Sequence, residues 1–108
     1  MISTHVLDTA LGAPAESLEV VLDVRHGTDW ATVGRGTTDS HGRITSFSNA
    51  VLADGTYRLT FATGAYHRGI GVRPFFPDVT VTFEVEKGVD YHVPLLLSPY
   101  GYSTYRGA

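Results

Sequence analysis

Apolar and polar residues alternate with a period of two along most of this chain. In Val79-Thr80-Val81-Thr82-Phe83-Glu84-Val85-Glu86 every odd position is apolar and every even position polar. A strand that buries one face and wets the other reads this way. Tyr57, Leu59 and Phe61 alternate with Arg58, Thr60 and Ala62, and Leu18, Val20, Leu22 and Val24 with Glu19, Val21, Asp23 and Arg25. Trp30 to Thr37 is a weaker strand, in which Gly34 and Gly36 mark a bend or a close backbone approach. Ile2 to His5 opens the chain as a polar strand-like segment.

Turn chemistry separates the runs. Asp39-Ser40-His41-Gly42 and Ala53-Asp54-Gly55 supply residues that tolerate positive φ or form Asx-turns, and Lys87-Gly88 precedes the next strand. Only Thr63 to Gly71 lacks alternation, and the two glycines near its end, Gly69 and Gly71, keep any helix there short. Short strands spaced by such turns predict an all-β sandwich or barrel.

From Asp90 to Ser98 one face, Tyr91, Val93, Leu95 and Leu97, is wholly apolar and belongs in a core. The other carries His92, Pro94, Leu96 and Ser98, which is too apolar for open water and predicts a second burial partner, most simply another copy of the chain. Pro94 has no N–H to donate, which favours an edge strand or a gap in the ladder. After the Pro99-Tyr100-Gly101 turn, Tyr102 to Tyr105 continue as an aromatic-rich strand.

A length of 108 residues fits one domain, 1–108, with a thin core. The net charge is −3, and the basic residues are scattered arginines with one lysine, Lys87. No clustered positive face points to nucleic acid or an anionic membrane. The absence of cysteine removes disulfides, thiol nucleophiles and Cys-based zinc sites. No stretch has the pattern of a signal peptide or the length of a membrane span, so a cytoplasmic protein is expected.

Chemistry has to come from histidine and arginine. His26 and His41 fall in turns and His67 in the non-alternating segment, where a solvated loop histidine is the default reading. No pair has the spacing of a local metal motif, and no metal or cofactor is expected. His5 and His92 lie in strand-like segments. Either is a packed interface histidine, or a general acid or base, since imidazole titrates near neutral pH. Arg43, after the Ser40-His41-Gly42 turn, is either solvated or a planar fork of donors for carbonyl or anionic oxygen. Periodicity does not choose between these alternatives.

Three segments carry a resemblance. Ser3-Thr4-His5-Val6-Leu7-Asp8-Thr9 with Gly12-Ala13-Pro14-Ala15 resembles the opening of the 5-hydroxyisourate hydrolases, the transthyretin-related enzymes. Asp39-Ser40-His41-Gly42-Arg43 is similar to their arginine-bearing turn, and Tyr91 to Gly107 to their C-terminal signature. The resemblance implies a transthyretin-like antiparallel sandwich of two four-stranded sheets with one short helix after the fifth strand. It implies a homotetramer, a dimer of dimers, with active sites in the cleft between dimers. Carried over residue by residue, the family's catalytic set falls on His5, Arg43 and His92. Ser103, Tyr105, Arg106, Gly107 and Ala108 are the implied substrate-binding residues, with a small-molecule substrate and no cofactor. The family usually ends Tyr-Arg-Gly-Ser, whereas this chain ends Tyr105-Arg106-Gly107-Ala108, without the serine hydroxyl. Two other classes share the architecture: a carrier of small apolar ligands like transthyretin, and a purely structural sandwich. Neither needs two histidines and an arginine.

Overall fold

The computed structural model describes all 108 residues. Ten strand segments and one helix follow in the order β1 (Ile2–Asp8), β2 (Ala13–Pro14), β3 (Glu19–His26), β4 (Asp29–Thr37), β5 (Arg43–Ile44), β6 (Gly55–Phe61), α1 (Thr63–Gly69), β7 (Val79–Val85), β8 (Tyr91–His92), β9 (Leu95–Ser98) and β10 (Gly101–Thr104). They form two sheets. The first is built around β1, and the second runs β4-β3-β6-β7 with every pair antiparallel.

The first sheet holds six ladder segments in four strand positions. One edge of β1 takes β5 beside its first half and β2 beside its second, with Thr4 opposite Ile44 and Leu7 opposite Pro14. The other edge takes β8 and then β9, with Ser3 opposite His92 and Val6 opposite Leu95. The outer position is β10, antiparallel to β9. Two details differ from the expected architecture. β1 runs parallel to β8 and β9, so this sheet is mixed rather than purely antiparallel. The additional short segments arise because Asp90–Ser98 is interrupted at Val93-Pro94 and because two separate turns share one edge of β1. Pro94, lacking its N–H, makes the expected gap rather than an edge, since β9 is flanked on both sides.

Alternation decides the faces. In β1, Ile2, Thr4, Val6 and Asp8 are buried while Ser3, His5 and Leu7 are half-buried on the outer side. Val6, Leu95 and Leu97 join Val20, Leu22, Leu59 and Phe61 of the second sheet in one apolar cluster. Pro94 is buried by its own chain and accepts a hydrogen bond from Thr104 Oγ1 at 2.7 Å, so it needs no second copy to cover it. Leu96 remains half-buried on the outer face.

Gly34 and Gly36 are places of close approach. A Cβ at Gly34 would overlap the Phe47 carbonyl oxygen, and one at Gly36 would sit 3.0 Å from Ile44 Cγ2. The chain that carries Arg43 thus packs down on β4. Beside Gly34 the β3–β4 register shifts, Leu22 facing Gly34 and Asp23 facing Thr32, which leaves Val33 as a bulge.

In α1, Thr63, Tyr66 and His67 recur at the spacing of one helix face and are buried. His67, read from the sequence as a solvated loop residue, is 3% exposed. Alternation was absent there because the period had changed to that of a helix. Tyr66 ties the helix to the first sheet by donating its hydroxyl to Asp8 Oδ2 at 2.8 Å, while Asp8 Oδ1 accepts from the N–H groups of Ala10 and Leu11. Burial first, then the bond to Asp8, pushes the Tyr66 phenol above its ordinary range. Tyr66→Phe removes one donor from a buried carboxyl group, which costs about 1–3 kcal/mol. Urea unfolding should show that loss as a lower midpoint at unchanged slope.

Candidate active site

His5, Arg43 and His92 come from three strands that meet on the outer face of the first sheet. Even-numbered residues of β1 turn their backbone groups toward β5 and β2: Val6 N–H donates to the Gly42 carbonyl at 2.8 Å, and its carbonyl accepts from Ala15 N–H. Odd-numbered residues turn theirs toward β8 and β9, so that the Ser3 carbonyl accepts from Val93 N–H. His5 and Arg43 therefore face each other as a non-hydrogen-bonded pair, the kind in which side chains stand closest. Ser3, two positions from His5 and so on the same face, is the register partner of His92.

The arginine's position is set by its turn. Asp39 Oδ1 accepts from the N–H groups of His41 at 2.8 Å and Arg43 at 3.0 Å, and the Asp39 carbonyl accepts from Gly42 N–H at 2.9 Å. The two donors to the carboxylate, Arg43 first, hold the Asp39 carboxyl below its usual value. Gly42 has φ +75°, and a Cβ there would collide with the Val6 carbonyl oxygen. Only glycine lets this turn close onto β1.

His92 is held from two sides. Its Nδ1 lies 2.9 Å from Ser3 Oγ, its carbonyl accepts from Gly107 N–H at 2.7 Å, and Gly107 bridges it as an isolated β partner. A Cβ on Gly107 would stand 2.5 Å from His92 Cδ2, so the tail passes directly against the imidazole. The tail is anchored one residue earlier, where the Arg106 guanidinium lies 4.8 Å over the Tyr91 ring. Burial lowers the His92 pKa, and the neighbouring positive charge of His5 and then Arg43 lowers it further.

A hollow of about 400 Å³ is lined by Ser3, Arg43, Tyr91, His92 and Ala108 among others. A shallower one beside it is lined by His5, Leu7, Pro14, His41 and Arg43, so the arginine borders both. Of the tail residues singled out in the sequence, Ala108 lines the first hollow, and Arg106 and Gly107 fix the chain beside it. Ser103 shares the outer face by its register with Leu96, while Tyr105, 57% exposed, lies past the end of β10; neither lines these two hollows. His26 and His41 are exposed. No group of three or more His, Asp or Glu side chains is placed to hold a metal ion.

The profile of the HIUase/Transthyretin family matches residues 2–107. The chain belongs to that family. Within it, this member is 44% identical to the 5-hydroxyisourate hydrolase of Salmonella dublin, over the whole of this chain and 81% of the relative. The structure of Klebsiella pneumoniae 5-hydroxyisourate hydrolase superposes with a TM-score of 0.90 at 38% identity, covering 99% of this chain and 98% of that one. Sea bream transthyretin in complex with thyroxine superposes with a TM-score of 0.92 at 30% identity, covering 99% and 94%. In this family member, sequence reasoning overlooked Ser3 as a partner of His92, although period-two spacing from His5 already placed it on the same face.

The His92 ring should titrate below the ordinary histidine value of about 6.5. His5→Gln and Arg43→Gln should each raise that midpoint by removing positive charge. Because the folded value is the depressed one, its contribution to stability is full above the unfolded value and is lost as pH falls through the folded one. Proton NMR of the imidazole resonances measures this, and midpoints unmoved in both variants would show that neither charge reaches the ring.

Proposed function

We propose that this chain is a 5-hydroxyisourate hydrolase of urate breakdown, with residues 1–108 acting as one domain. The observation that carries the reading is the convergence of His5, Arg43 and His92 on one outer face, His5 paired across the ladder with Arg43. The names of the relatives support it.

In the proposed reaction one of the two histidines takes a proton from water as the water oxygen bonds to a ring carbonyl carbon. The carbonyl electron pair moves onto its oxygen, where the Arg43 guanidinium stabilises the charge. When that pair returns, the adjacent C–N bond breaks and the leaving nitrogen takes up a proton. The product is the ring-opened acid 2-oxo-4-hydroxy-4-carboxy-5-ureidoimidazoline. A positioned base contributes about 10²- to 10⁴-fold, and an oxyanion donor roughly 3–4 kcal/mol. Every group this requires is a side chain already on the face.

Self-association as a homotetramer, a dimer of dimers, would enclose the open face that carries Leu7, Leu96 and the two hollows. The cysteine-free composition accords with a cytoplasmic location. A carrier of apolar ligands is the second reading, since transthyretin has the same fold. The charged and imidazole groups on this face count against it.

Ultraviolet absorbance of 5-hydroxyisourate, freshly made by urate oxidase, should decay faster with the protein present, and Arg43→Ala should abolish the acceleration. Ala108→Ser adds one neutral hydrogen-bonding group beside His92, worth about 1–2 kcal/mol, and should raise the rate roughly five- to thirtyfold. Decay at the spontaneous rate both in the unaltered chain and in the Ala108→Ser variant would favour the carrier. Sedimentation should give the mass of four chains, and a monomer at assay concentration would overturn the shared-cleft arrangement.

A further inference from the structure

Ser3 stands outside the three side chains assigned to the reaction, yet it makes the hydrogen bond that orients one of them. We propose that Ser3 is a positioning residue: its hydroxyl donates to His92 Nδ1, fixes the imidazole as the Nε2–H tautomer, and so makes His92 the hydrogen-bond donor to the substrate oxygen and leaves His5 as the base. The second half of this assignment rests on the hydrolase reading, whereas the first half does not.

The inventory of hydrogen-bond partners favours serine as the donor. Ser3 Oγ and His92 Nδ1 are 2.9 Å apart, and the Ser3 hydroxyl has no other acceptor within the chain. If the ring donated instead, the hydroxyl proton of a half-buried serine would have no protein partner. With serine donating, the hydroxyl proton and the Nδ1 lone pair satisfy each other, and the remaining ring N–H is on Nε2. The bond cannot drift, because both residues are locked by backbone. Ser3 and His92 are register partners, the Ser3 carbonyl accepts from Val93 N–H, and Gly107 closes the far side of the ring.

The charged and titratable groups around the ring favour its neutral form. They are His5 on β1 and Arg43 on β5, while Arg106 on the tail is stacked on Tyr91. Asp90, the one acidic side chain in the wall of the hollow, is engaged by the Met1 amine at 3.1 Å, and the terminal residue Ala108 brings its main-chain carboxylate to the same wall. A neutral imidazole presenting Nε2–H beside a guanidinium makes two donors for one developing oxyanion. His5, by contrast, has no hydrogen bond to either ring nitrogen within the chain and borders the same arginine. In its neutral form it is free to take a proton from water, and only once protonated does it add its charge to that of Arg43 beside His92.

Two-bond ¹H–¹⁵N correlation spectra of the full chain, recorded above the His92 titration, read the tautomer directly and without substrate. The expected result is Nε2 protonated and Nδ1 bare, with Ser3→Ala shifting both nitrogens toward averaged values and Ser3→Thr restoring them. In the 5-hydroxyisourate assay Ser3→Ala should lower kcat on the order of tenfold with little change in KM, and Ser3→Thr should recover it. A protonated Nδ1 in the unaltered chain, or a Ser3→Ala variant with unchanged spectrum and unchanged kcat, overturns the proposal. A locked Nε2–H tautomer in a chain that does not turn over the substrate would sustain the Ser3–His92 assignment while the hydrolase reading fails.

Discussion

Strand β1 is hydrogen-bonded along both edges to four different pieces of chain, and its register is the constraint on which the rest of the molecule depends. Its even residues feed the core, and its odd residues, Ser3, His5 and Leu7, line the outer face. Because strand side chains alternate strictly, a slip of one residue would expose Ile2 and Val6 and bury His5. The opposing demands of apolar burial and imidazole solvation therefore fix one register. That register brings Arg43 opposite His5 and His92 opposite Ser3. Packing and site geometry are set by the same ladder.

The pieces that flank β1 are short, and each is held by a local device rather than by length. β5 has two residues, yet the Asp39 carboxyl, the positive-φ Gly42 and the bare backbone of Gly36 pin it from three sides. Pro94 breaks the strand between His92 and Leu95, and the gap lets the two halves serve different tasks. β9 closes the core with Leu95 and Leu97, while β8 holds His92 between Ser3 and the tail. A continuous strand would carry its side chains in one alternation throughout.

Much of this was legible in the sequence, because period-two alternation is a direct imprint of a half-buried strand. Val79–Val85, Gly55–Phe61 and Glu19–His26 appear where the pattern places them, and Gly34 and Gly36 mark a true close approach. What alternation could not convey was pairing. That His5 meets Arg43 depends on a turn far downstream folding back, and no local pattern encodes which strand it will meet. His67 was misread because a few buried positions in a helix of only seven residues are too few to announce a period. Ser3 was overlooked since a serine in a strand carries no chemical signal until its partner is known.

The fold by itself does not separate catalysis from carriage, since a hydrolase and a hormone-binding transthyretin superpose on this chain almost equally well. The distinction has to reside in the chemistry of the outer face. A surface meant for an apolar ligand would be weakened by a guanidinium and two imidazoles, each of which loses hydration when covered. A surface meant for a tetrahedral oxyanion gains from the same groups, provided they are fixed before the charge develops and are not neutralised by one another. Here no carboxylate forms an ion pair with Arg43, and the one acidic side chain in the hollow, Asp90, is bound to the Met1 amine. The Arg43 guanidinium thus has no salt-bridge partner, and after burial and His5 it is a further cause that lowers the proton affinity of His92. In the proposed hydrolase, a guanidinium without an ion-pair partner in the resting chain would gain one only as an anion forms, which is the asymmetry that transition-state stabilisation requires.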